Sequence, residues 1–170
     1  MEFTGYASPP AVQIISLLRS AKISIRENTR ICKDEPGTFG YFVHSDNVFA
    51  VCTANIKRGG WPLRHYINET IYHEAVHAAQ DCKAKGLRSL LGPSTLGLKN
   101  IERKLTKDKL DEVKRSTSFG WNSRQRELEA YYLESKPREV IRYLQKHCLG
   151  KPPQKKKEPP IIRFDNVMRQ

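Results

Sequence analysis

Apolar positions recur along this chain at two periods, and the alternation between them divides it into short strands and longer amphipathic helices. Ser8, followed by Pro9, Pro10 and then AVQIISLLRSA, reads as a capped helix with proline where a first turn tolerates it. Alternation in KISI and the short TRIC predict two strands. GYFV up to Val43 and VFAVC from Val48, joined by HSDN, predict a hairpin whose Asp46 and Asn47 suit a turn. Pro62 opens a helix that no proline or glycine interrupts until Gly86. On it Ile67, Ile71, Ala75, Ala78 and Cys82 recur at helical spacing and make a packing face, which leaves His73, Glu74 and His77 to a different, open side.

Beyond Gly92 and Pro93 the pattern weakens. Asn100 to Arg115 is a charged segment whose Leu105, Leu110 and Val113 are too sparse to set a helical register, so a mobile helix is expected there. Asn122 or Ser123 caps RQRELEAYYLES, and Pro137 opens REVIRYLQKHCL, which Gly150 stops. There is no internal repeat, and the elements together predict an α+β fold.

Length and charge narrow this picture. The 170 residues suffice for one compact domain, expected over residues 1–150. Residues 151–170 hold four of the ten prolines and six Lys/Arg against two acids, the composition of a flexible basic tail. The net charge of +12 points to an acidic partner or nucleic acid, although a solvated face is the plainer reading of a charge block. From Lys83 to Arg126 there are twelve Lys/Arg against four acids, with few aromatics in the tail for base stacking, so nucleic-acid binding would be phosphate-dominated and weakened by salt.

No stretch approaches the roughly 20 apolar residues that span a bilayer, and MEFTGYASPP lacks the layout of a secretory signal. The expectation is a cytoplasmic protein without a transmembrane segment. Cys32, Cys52, Cys82 and Cys148 lie far apart without a CxxC pair, which predicts buried thiols, with a Cys52–Cys82 contact as the pairing to consider.

The chemistry lies in YHEAVHAAQDCK. His73 and His77, four apart on a helix, present their side chains on one face about 5–6 Å apart at Cβ, so both can ligate one metal. Glu74 is placed to take a proton from an activated water, which is the HExxH arrangement. A catalytic zinc wants a third protein ligand with a fourth position left to water, and the later helix offers Glu127, Glu129 and Glu134. Glu127 and Glu129 project about 200° apart, so only one of them reaches the metal. Asp81, four after His77, can support an imidazole through its other nitrogen or stand as a solvent-facing acid. The strand Val48 to Cys52, as a sheet edge beside the site, could hold an extended peptide by main-chain pairing. Tyr131, Tyr132, Trp121 and His147 are candidates to stabilise an oxyanion, with core packing the commoner role for such residues.

GYFVHSDNVFAVCTAN, then YHEAVHAAQDCK, then ELEA, resembles the zincin metallopeptidases of the mitochondrial inner-membrane type that process an ATP-synthase subunit and assist its assembly. The matching positions are Gly40, Phe42, Cys52, Asn55, His73, Glu74, His77, Ala78, Asp81, Cys82, Lys83, Glu127 and Ala130. They cover about residues 40–83 and 127–130. The resemblance implies a minimal zincin-like metallopeptidase domain: a small sheet with a hairpin packed on the active-site helix, and helices C-terminal to it. It makes Glu127 the third ligand of a zinc ion (Zn2+) beside His73 and His77, with Glu74 as the catalytic base. Gln80 stands where that family carries an acid, and the run from His77 to Glu127 is long and basic, so substrate and role do not carry over.

The implied reaction is hydrolysis of peptide bonds in a protein substrate, Glu74 taking the proton of water and passing it to the leaving amine, without a covalent intermediate. Two alternatives accompany it: a nucleic-acid- or ribosome-associated binding protein built on a zincin core, and a catalytically inactive zinc domain. Glu74 weighs against the second, because a structural site needs no base.

Overall fold

The computed structural model describes residues 1–86, 94–117 and 123–150. After a 3-10 turn at Glu2–Gly5, helix α1 (Pro9–Ser20) starts on Ser8, whose side chain accepts from the Ala11 amide, with proline in the first turn. Its Ala11, Ile14, Ile15 and Leu18 are buried, as their spacing predicts. Strand β1 (Ser24–Glu27) follows, then helix α2 (Arg30–Asp34), strands β2 (Gly40–Val43) and β3 (Val48–Val51), helix α3 (Thr53–Arg58) and the long helix α4 (Leu63–Gly86). Helices α5 (Lys107–Thr117), α6 (Arg124–Leu133) and α7 (Pro137–Cys148) complete the described chain. The fold is α+β, mostly helical with one small sheet.

That sheet has the order β1-β3-β2. β1 and β3 run parallel with Ser24 opposite Val48, and the expected hairpin pairs Gly40 with Val51 and Val43 with Val48. Asn47 takes a left-handed conformation (φ 50°) in the connecting turn, which asparagine tolerates. β3 is therefore the central strand and not the edge expected for Val48 to Cys52; β2 is the edge that lies against α4.

TRIC is not a strand. Its Arg30, Ile31 and Cys32 open α2, and the buried Asn55 reaches from α3 to the carbonyls of Cys32, Glu35 and Thr38 at 2.8, 3.1 and 2.8 Å. Four residues carry too little periodicity to decide between strand and helix, so these tertiary bonds decide it.

α4 is the central element, packed against α1, α3, α6, α7 and both hairpin strands. The face of Ile67, Ile71, Ala75 and Ala78 is fully buried as predicted. Its opposite side is not open, because α6 lies along it. α5, the charged segment of unset register, packs on α6 through Val113, which joins Ile101 and Leu128 in a small satellite core. Ser123 is the N-cap of α6; the other candidate cap, Asn122, and the basic tail lie outside the described residues.

All four cysteines are in disulfides, Cys32–Cys52 and Cys82–Cys148, which replaces both the expected thiols and the Cys52–Cys82 contact. Four cysteines allow three connectivities, and spacing alone does not choose among them. Such bonds persist in oxidising compartments and are rare in the cytosol, so they weigh against the cytoplasmic expectation. No helix among the described residues is long and apolar enough to cross a membrane.

Candidate metal centre

His73 and His77 lie one turn apart on α4, with ring centroids 5.1 Å apart. α6 crosses them and brings Glu127 to both: one carboxylate oxygen is 3.5 Å from His73 Nε2 and the other 3.2 Å from His77 Nε2. The three donor atoms lie within 4.8 Å of one another. His77 and Glu127 are buried, and the His73 side chain is only 13% exposed.

Each imidazole has an acceptor at its other nitrogen. His73 Nδ1 faces Glu134 Oε2 at 2.9 Å, and His77 Nδ1 faces Gln80 Oε1 at 2.9 Å. Each Nδ1 thus donates to its acceptor, and each Nε2 turns inward toward the Glu127 carboxylate. Two imidazoles and one carboxylate converging on a point form a group that could hold a metal ion such as zinc, each imidazole being neutral when it ligates.

Electrostatics around this point are strong because the groups are enclosed. Burial pulls the His73 imidazolium down, but hydrogen bonds to Glu127 and Glu134 outweigh it and hold His73 well above its ordinary value. Burial likewise pushes the Glu127 carboxyl up, and the two imidazoles reverse this and hold it well below the usual carboxylate range. Glu74 moves the other way: burial raises it, and the neighbouring imidazoles and the Phe42 amide only partly offset that rise. A carboxyl shifted toward neutrality is suited to carry a proton in both directions.

Glu74 points away from the ligand stripe toward β2, where the Phe42 N–H donates to it. Gly40, two residues earlier, admits this approach. A Cβ there would stand 2.4 Å from Thr70 Cγ2 and 3.3 Å from Glu74 Cγ.

The choice among the three glutamates of α6 is made by what each already touches. Glu129 is fully buried on the other side and accepts the backbone N–H groups of Leu96, Gly97 and Leu98 at 2.6, 2.8 and 2.9 Å, so it anchors that segment and not the histidines. Glu134 supports His73 from behind and pairs with Lys109 Nζ at 2.5 Å. Lys109 also lies 3.7 Å from Glu69, one turn before His73, so the supposedly mobile α5 is tied to the site.

Asp81 does not support His77, whose Nδ1 is taken by Gln80 one residue earlier. It pairs with His44, in the β2–β3 turn, and with Lys85 at 2.9 Å. Of the oxyanion candidates among the described residues, Tyr131 alone is placed at the histidines, with its ring 4.5 Å from that of His73, while its hydroxyl bonds Ser116. Tyr132 lies under Lys136, His147 stacks on Tyr143, and Trp121 falls outside the described residues. Sequence reasoning missed the part played by Gln80, Glu134 and Lys109. The first two had a signal, since Gln80 is three after His77 and Glu134 two turns after Glu127.

A family model described as Domain of unknown function (DUF8637) matches residues 3–149. No curated protein and no solved structure matches the chain.

Proposed function

The chain belongs to the DUF8637 family, a domain of unknown function, and on the geometry of its site we propose that it is a zinc-dependent metallopeptidase of zincin-like architecture. One observation carries this reading: His73 Nε2, His77 Nε2 and the Glu127 carboxylate converge, while both Nδ1 atoms are already engaged. Glu74 follows the first ligand and is held at the edge strand, away from the three donors, which is where a base is wanted and a fourth ligand is not.

His73, His77 and Glu127 would hold the zinc ion, which would supply Lewis-acid chemistry at a carbonyl and at water. The chain's own residues do the rest. The Glu74 carboxylate takes a proton from the attacking water and returns it to the leaving amine. Glu134 and Gln80 hold the two imidazoles in the ligating tautomer. A substrate chain laid along β2 would pair with the edge strand beside Glu74. The substrate is a protein or peptide, and with two disulfides the working compartment is an oxidising one.

The test is bound zinc and casein cleavage for the parent and for Glu74→Gln. Zinc content is expected to stay, and cleavage to fall by about 10²–10⁴-fold, the usual contribution of an acid–base residue. Undiminished cleavage by Glu74→Gln would end the reading. Zinc without turnover in the parent would favour the inactive zinc domain. Salt-sensitive nucleic-acid binding indifferent to the substitution would favour the basic binding protein, for which the net charge of +12 speaks.

A further inference from the structure

Gln80 occupies a position where a single side-chain amide serves four groups. Its Oε1 accepts from His77 Nδ1 at 2.9 Å and from Arg126 Nε at 3.1 Å. Its Nε2 donates to Glu129 Oε2 at 2.9 Å and to the Arg126 carbonyl at 3.1 Å. Gln80 and Glu129 are fully buried, and His77 and Arg126 nearly so. In such a place a wrongly paired polar atom is costly, so the pattern of donors and acceptors is rigid.

The pattern also fixes which way the amide points. A carboxylate accepts only and a guanidinium donates only. Flipping the amide would set its oxygen against Glu129 and its NH2 against Arg126. Oε1 must therefore face His77, whose Nδ1 must donate to it, so that Nε2 is the nitrogen turned to the candidate metal position. Glu129 is itself locked by the three consecutive amides of Leu96, Gly97 and Leu98, a turn made possible by the left-handed Gly97 (φ 89°). Ser94 adds a bond to the Gln80 carbonyl, and Lys83 one to the Thr95 carbonyl.

We propose that Gln80 is a positioning residue for His77, and that Glu129 and segment 94–98 act through it to hold the imidazole in its zinc-ligating tautomer. This rests on the zinc reading above and adds to it the reason an amide stands at this position. A carboxylate at 80 has no donor for Glu129 and a lysine no acceptor for His77, whereas the amide supplies both from two separate atoms.

The experiment compares zinc affinity, by competition with a chromophoric chelator, for the parent, Gln80→Met, Gln80→Glu and the double variant Gln80→Glu/Glu129→Gln. Tautomer state of the metal-free proteins is read from ring-nitrogen NMR shifts. Either single change is expected to weaken zinc binding about 10- to 100-fold, as loss of such a supporting partner does elsewhere, and Gln80→Met to lose the fixed Nδ1–H form of His77. The double variant restores the donor and acceptor between positions 80 and 129 but leaves the Leu96 N–H facing a donor and the Arg126 carbonyl facing an acceptor, so it should regain only part of the affinity lost by Gln80→Glu.

Folded single variants that bind zinc within twofold of the parent would overturn the proposal while leaving the metallopeptidase reading standing. A parent that binds no zinc would overturn both. Where Gln80→Glu does not fold, Gln80→Met decides: affinity tenfold or more below the parent supports the proposal, and affinity within twofold of it overturns it.

Discussion

Cutting the Cys82–Cys148 disulfide should cost this protein a large part of its stability. Cys82 lies five residues after His77 on α4, and Cys148 ends α7, so the bond joins the ligand-bearing helix to its largest helical neighbour. The half-cystines are 66 residues apart, and the loop-closure entropy released to the unfolded chain corresponds to about 4 kcal/mol. The Cys32–Cys52 loop spans 20 residues, for which the same relation gives about 3 kcal/mol. Against a typical total of about 5–15 kcal/mol, loss of both would leave little.

For a chain of this size, the α4–α7 bond alone corresponds to a fall of roughly 8–16 °C in Tm. The helices themselves should stay packed, because Val140, Ile141 and Leu144 of α7 remain in the main core. Urea unfolding of the parent and of Cys82→Ala/Cys148→Ala, with Cys82→Ser/Cys148→Ser as control for the lost side-chain atoms, gives the difference directly. A change under about 1 kcal/mol would refute the entropy argument. Peptide mapping that links Cys52 to Cys82, or finds free thiols, would refute the pairing and reopen the cytoplasmic reading.

Two further outcomes follow from the site. Gly40→Ala places a Cβ 2.4 Å from Thr70 Cγ2 and 2.9 Å from the Ala50 carbonyl, so β2 must shift from α4; about 1–3 kcal/mol of stability should be lost, and Glu74 function more than zinc content. Gly37→Ala meets nothing within 4 Å and is the control, and equal melting curves for the two variants would contradict the crowding at Gly40. The second outcome is a pH dependence. His73, raised above its ordinary 6.5 in the metal-free protein, contributes stability that is full below 6.5 and lost as pH rises through its folded value. Glu127, lowered from 4.5, contributes stability present above 4.5 and lost as pH falls. The metal-free site is thus most stabilising where both windows overlap, between 4.5 and 6.5. Zinc requires neutral imidazoles, so the gap between zinc-loaded and metal-free melting temperatures should widen from about pH 6 to pH 8. A gap that narrows over that range would count against these ligands.

Most local signals along the chain match an element that is present, TRIC, read as a strand, being the exception. The Ser8 cap with its two prolines, the hairpin turn at Asp46–Asn47, the unbroken run from Pro62 to Gly86 and the start at Pro137 each predicted an element that is present. Caps, turns and hydrophobic period act over a few residues, so a linear sequence displays them in full. The neighbourhood of His73, Glu74 and His77 was legible for the same reason, since one helical turn sets their spacing.

Spacing left open what depends on two distant segments meeting, and only the family resemblance singled out Glu127 in advance. Glu127 and Glu129 are equivalent by spacing; the Leu96–Leu98 amides claim one and the histidines the other. The strand given to the edge became the centre because β1, from outside the hairpin, pairs with it. Asp81 went to His44, Gln80 to His77 and Cys82 to Cys148, none of which any periodicity encodes. Sequence alone determined α1, α4 and α7, the hairpin and the spacing of His73 and His77. Tertiary structure decided the third donor, the partners of each imidazole and the disulfide pairing, because a buried polar or sulfur atom takes the partner that packing brings within bonding distance.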